Sequence, residues 1–238
     1  MQTSFVSYMD GDVECEGYIA TRADPTVPTP VVLVCHAWAG QDDFARARAE
    51  RLASEGFIGF AIDVYGKGRR GSNADENAKL MTPFVQDRSL LRRRLLAAVN
   101  TAHRIPGADP HRIAAIGFCF GGLCALDLAR ANAPGLRSVV AFHGLFAPPN
   151  IGPQPKIGAS VLCLHGFDDP MCTPDAVLAL TKEMTDAQAD WEIDMYGHTV
   201  HAFTNPAAND PKFGTVFKQK ASDRSFARAS LFLVETLR

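Results

Sequence analysis

Short apolar runs alternate along most of the chain with longer stretches of helical periodicity. VVLVCH (31–36), FIGFAID (57–63), RIAAIGF (112–118), SVVAFHG (138–144), SVLCLHG (160–166) and WEIDMYG (191–197) have the length and composition of buried strands. Between them, DDFARARAERLASEG (42–56) and RSLLRRRLLAAVNTAHRI (88–105) carry apolar residues at helical spacing. Further helices are predicted from Gly121 to about Ala133 and from Pro174 to about Gln188, and SDRSFARASLFLVETL (222–237) closes the chain. Apolar strands separated by helices imply an α/β fold, a mainly parallel sheet with helices on both faces. The opening segment MQTSFVSYMDGDVECEGYIA alternates polar and apolar positions and reads as a β-hairpin turning at Asp10-Gly11. Two stretches lack periodicity, YGKGRRGSNADEN (65–77) and FTNPAANDPKFG (203–214), and are expected as loops. Loops beyond the carboxyl ends of parallel strands are where such a sheet places its site.

No internal repeat or long linker divides the 238 residues, so one domain over 1–238 is expected. A formal net charge of −2 gives no field suited to nucleic acid or an anionic membrane, so neither is an expected partner. No apolar run reaches the roughly 18 residues that span a bilayer, and the first residues lack the pattern of a signal peptide. The expected compartment is the cytoplasm. There the six cysteines, which form no CxxC pair, are reduced thiols. Cys35 and Cys163, inside apolar runs, read as core fillers. The sequence carries no signal for an oligomeric state.

One cysteine stands apart. Gly117-Phe118-Cys119-Phe120-Gly121 joins a predicted strand to a predicted helix. Cys119 is a nucleophile, a metal or redox ligand, or a small buried apolar residue. The spacing is that of a nucleophile elbow, in which the central residue occupies a strained turn and its neighbours two positions away must lack bulk. The positive end of the following helix favours a thiolate there. A nucleophile also needs a base and an orienting acid, in the chain order nucleophile, acid, base. LHGFDDP offers Asp168 and Asp169 after one strand, and YGHTVHAF offers His198 and His201 after the last. No common zinc spacing is present, so no metal is assigned. GKG at 66–68 lacks the remaining residues of a phosphate loop.

These segments, with VVLVCHAWAG, GFIGFAIDVYGKG and HAFTNP in the same order, resemble the dienelactone hydrolase (carboxymethylenebutenolidase) family, α/β-hydrolases with a cysteine nucleophile. The resemblance covers nearly the whole chain. It implies a catalytic triad of Cys119, Asp169 and His201, since G-x-x-D from Gly166 selects Asp169 over Asp168 and H-x-F selects His201 over His198. It implies an oxyanion hole from the backbone N–H groups of Phe120 and Trp38, the latter by alignment on Gly40. It requires no metal or organic cofactor, and its partner is a small ester or lactone substrate.

The chain departs from the family in two places. Ala37 stands where family members carry a glutamate, and Asn205 where they carry a substrate-holding arginine. Arg69, Arg70 and Arg88 are the candidates to replace that arginine. Arg69 and Arg88, with Ala37, Asn205 and His36, form the expected substrate pocket, although a structural hydrogen-bonding role is favoured for His36 and His165. The implied activity is hydrolysis of a small ester or lactone through a thioester. The rival readings are a broad carboxylesterase or thioesterase and a non-enzymatic thiol sensor or binding module on the same fold.

Overall fold

The computed structural model describes residues 1–22 and 27–238. Its centre is an eight-stranded sheet. In chain order the strands are β1 (Gln2–Asp10), β2 (Val13–Thr21), β3 (Thr29–Cys35), β4 (Ile58–Ala61), β5 (Ala108–Phe118), β6 (Leu136–Phe142), β7 (Ser160–Gly166) and β8 (Trp191–Tyr196). Their spatial order is β1-β2-β4-β3-β5-β6-β7-β8. The hairpin β1–β2 is antiparallel, and β2 meets β4 antiparallel. Every pair from β4 to β8 is parallel. All the loops leaving β3 to β8 at their carboxyl ends therefore open on one edge of the sheet.

The helices are α1 (Asp43–Ser54), α2 (Ala74–Gln86), α3 (Arg88–Ala102), α4 (Phe120–Arg130), α5 (Pro174–Asp186) and α6 (Gln219–Leu237). Although the strands read as continuous apolar runs, their side chains divide by alternation between two cores. Val31, Leu33 and Cys35 of β3 belong to the core that also holds residues of α3, α4 and α5, while Val32 and Val34 belong to the core shared with α1 and α6. Both faces are thus covered by helix, which is why these strands need no polar positions. No helix among the described residues is long and apolar enough to cross a membrane.

Two elements differ from the sequence expectation. The polar segment expected as a loop over 65–77 runs into α2. Asn73 caps it by accepting from the Glu76 N–H at 3.0 Å, and the Glu76 carboxylate accepts from the Ser72 N–H. The irregular run at 203–214 contains half of a short hairpin, β9 (Asn209–Asp210) with β10 (Thr215–Val216).

Candidate active site

Cys119 lies between β5 and α4 with φ 57° and ψ −117°, a conformation L-residues rarely adopt. The two flanking glycines permit it. A Cβ on Gly117 would sit 1.8 Å from the Gly121 carbonyl oxygen, and one on Gly121 would sit 2.1 Å from the Cys35 carbonyl oxygen. The turn therefore closes only because both positions lack side chains. The Cys119 N–H donates to the Phe142 carbonyl at 3.1 Å, which ties the elbow to β6. Cys119 is also the one cysteine of the six that is not buried. Burial pushes the thiols of Cys35, Cys163 and Cys172 up to about 12 and that of Cys15 to about 11, which keeps them inert.

Asp169 follows β7 and His201 follows β8, and the fold brings them together. His201 Nδ1 lies 2.7 Å from Asp169 Oδ2, and both side chains are buried. The other carboxylate oxygen of Asp169 accepts from the Met171 N–H at 2.8 Å, so the carboxylate is fixed at both ends. His201 Nε2 is buried without a hydrogen-bond partner. Burial pulls the imidazole pKa down, but the charge of Cys119 and the hydrogen bond to the Asp169 carboxylate outweigh it and raise the pKa to about 10. By contrast, Asp168 and His198 form only an open pair at 4.0 Å, with the His198 side chain in solvent.

The backbone of His201 is held as firmly as its ring. Its N–H donates to the Gly214 carbonyl at 3.0 Å and its carbonyl accepts from the Val216 N–H at 3.2 Å, both from the β9–β10 hairpin. On the other side of the elbow, Phe120 is the first residue of α4 and its N–H has no acceptor within the helix. No backbone carbonyl among the described residues accepts from the Trp38 N–H. The Trp38 carbonyl is engaged, accepting from Tyr65 Oη at 3.0 Å.

A cavity of about 380 Å³ opens over Cys119 and His201. Its walls are mainly apolar, with Trp38, Phe44, Phe118, Leu145, Met171 and Phe213 prominent. Ala37 and Asn205 line it as expected. Three expected pocket residues do not. Arg88 is buried in a bidentate pair with Asp127 of α4, at 2.6 and 2.8 Å, because a guanidinium taken out of water needs a carboxylate partner. Arg69 is exposed and donates to the Tyr65 carbonyl at 3.3 Å. His36 has both nitrogens engaged, Nδ1 with the Ala37 carbonyl at 2.6 Å and Nε2 accepting from the Val64 N–H at 3.2 Å, and burial lowers its pKa. Its role is to hold the loop after β3. His165 likewise bonds the Cys172 carbonyl, at 2.8 Å. Arg70 donates to the carbonyl and side-chain oxygens of Gln41.

The structure adds a residue that the sequence reading passed over. His143, at the end of β6, lines the cavity with its ring centroid 5.0 Å from that of His201 and its Nε2 2.8 Å from Thr204 Oγ1. Burial holds it well below the usual imidazole range, so it adds no positive charge beside His201. In the sequence it is one more histidine at a strand end, like His36 and His165, and nothing local separates the three. Asp42 and Phe213 also reach the cavity from segments read as a helix start and a loop.

The chain matches known proteins along nearly its full length. A family model described as the dienelactone hydrolase family matches residues 15–237. A Yersinia pestis protein named "Putative carboxymethylenebutenolidase" is 30% identical over 203 residues, 80% of this chain and 74% of that one. Among solved structures, a dienelactone hydrolase-like promiscuous phosphotriesterase from metagenomic libraries is 33% identical, with a TM-score of 0.94 over 100% of this chain and 99% of that one. The dienelactone hydrolase of Anabaena variabilis, 22% identical with a TM-score of 0.71 over 100% of this chain and 99% of that one, shares the fold.

Proposed function

The chain belongs to the dienelactone hydrolase family, hydrolases of small esters and lactones, and from that premise we propose that it cleaves its substrate through a Cys119–His201–Asp169 triad and a thioester. One observation carries the reading. The single accessible thiol stands at a strained elbow beside a buried imidazole whose far nitrogen is 2.7 Å from a buried carboxylate. A thiol sensor needs an accessible sulfur but has no use for that fixed pair, so the enzyme reading is favoured.

The sulfur attacks the carbonyl carbon, and the carbonyl π electrons move onto oxygen. The N–H groups of Phe120 and Trp38 receive that oxyanion, each worth about 3 kcal/mol of barrier. Collapse breaks the bond to the alcohol oxygen, which takes a proton from His201 Nε2. The neutral imidazole then removes a proton from water as it attacks the thioester. The acid leaves, and the thiolate–imidazolium pair is restored. Asp169 keeps the ring in one tautomer and stabilises its charged form throughout. Similarity to the phosphotriesterase supports phosphotriesters as a second substrate class, in which phosphorus takes the place of the carbonyl carbon.

The test is to quench turnover of p-nitrophenyl esters and lactones in acid and weigh the protein. An acyl group on the peptide bearing Cys119, absent in Cys119→Ala, is expected. Turnover retained by Cys119→Ala would reject the triad.

A further inference from the structure

The cations near the proposed active site are bonded elsewhere or lie off the cavity wall. Arg88 is paired with Asp127, Arg69 with the Tyr65 carbonyl and Arg70 with Gln41. Arg46 spans Asp43 and Gln41, and Lys212 on the hairpin is exposed and off the cavity wall. Among the described residues, no lysine or arginine lines the cavity, and its one carboxylate besides the buried Asp169 behind His201 is Asp42. The imidazole of His201 is already held by the buried Asp169 carboxylate at 2.7 Å. A carboxylate carried into this space would lose its water and gain no cationic partner.

The rim has its own chemistry. The indole of Trp38 stacks on the ring of Phe213, with centroids 5.8 Å apart and planes 19° apart. Trp38 carries the proposed oxyanion donor, and Phe213 rides on the hairpin bonded to His201. This aromatic pair offers a flat apolar face on the cavity that Cys119 also lines.

We infer that the cavity selects uncharged, apolar esters and excludes those bearing a remote carboxylate, with Asp42 as the excluding charge and Trp38 with Phe213 as the face that receives the apolar group. The inference rests on the hydrolase reading above and names the substrate class of the same site. It runs against a site built to hold a carboxylate, for which this cavity has no cation.

The experiment compares p-nitrophenyl butyrate with p-nitrophenyl hemisuccinate, esters of similar size that differ by one charge. We expect kcat/KM to favour butyrate by about 30-fold, which is about 2 kcal/mol at 1.4 kcal/mol per tenfold. Asp42 caps α1 by accepting from the Ala45 N–H at 3.0 Å; Asp42→Asn keeps a good helix cap while removing the charge, so the butyrate-to-hemisuccinate ratio should fall several-fold. Phe213→Ala should raise KM for butyrate more than it lowers kcat. Equal or better turnover of hemisuccinate, or an unchanged ratio in Asp42→Asn, overturns the inference and leaves the triad untouched. Binding to Cys119→Ala, followed by Trp38 fluorescence, gives a readout independent of turnover. Butyrate ester tighter than hemisuccinate supports the selection, and the reverse order overturns it even where the triad reading has failed.

Discussion

If Cys119, His201 and Asp169 act as the proposed triad, its members should fail together. His201→Ala and Asp169→Asn are each expected to lower kcat/KM at least ~100-fold, because triad residues act as a unit. Asp168→Asn and His198→Ala, which alter only an exposed pair, should cost less than about threefold. The reverse pattern across the four variants would reassign both members of the triad. Labelling separates activation from turnover. Iodoacetamide should modify Cys119 first, the other five cysteines being buried. His201→Gln should slow that labelling at least ~10-fold at pH 7, and an unchanged rate would show that the imidazole does not activate the sulfur.

Among the elements, the β9–β10 hairpin bears most directly on the site. Gly214 has φ +81°, and a Cβ there would sit 2.3 Å from Pro170 Cγ, next to Asp169. Its carbonyl also holds the His201 N–H. Gly214→Ala should therefore push the hairpin and His201 apart from Asp169 and lower kcat by at least ~10-fold. Gly56→Ala is the control. Its φ of +97° incurs a similar backbone cost of about 1 kcal/mol, but nothing lies within 4 Å of the new methyl. It should lose stability and keep kcat, and equal kcat in both variants would show that the hairpin does not position the base. None of this hairpin was legible in the sequence. Two-residue strands carry no periodicity, and their pairing with His201 is set by tertiary contact. Helix α2 was hidden for another reason, because its capping residues Ser72, Asn73 and Glu76 continue the polar composition of the preceding loop. The parallel strands and the elbow were legible, since buried strands are uniformly apolar and the elbow needs glycine at two fixed positions. Arginine placement was not. Whether Arg88 faces a substrate or Asp127 depends on how α3 and α4 pack, and the sequence holds no trace of that.

For the molecule as a whole, buried histidines set the response to acid. Burial lowers the pKa values of His36, His143 and His165 from 6.5, so the folded state keeps them neutral. The unfolded chain takes up protons there as pH falls below about 6.5, and stability contributed by these groups is lost in that direction. His201 has the opposite sign. Raised to about 10, its contribution is complete below 6.5 and is lost as pH rises through 10. Urea midpoints should therefore fall between pH 7.5 and pH 5.5, above the range where carboxylates titrate. A flat profile in a His201→Gln background, where the opposing contribution is gone, would mean that these rings titrate alike in the folded and unfolded states.

The parallel order of the sheet has a consequence for the moment at which the protein becomes reactive. The thiol leaves β5, the carboxylate β7 and the imidazole β8, with β6 seated between the first and second of these. None of the three meets another through local chain contacts, and closing such long loops is the slow part of building a parallel sheet. A nascent or partly refolded chain holds an ordinary cysteine at position 119, without its partners. On the proposed triad, the sulfur meets its partners only when the last crossover docks, and until then folding itself is the safety catch on the chemistry.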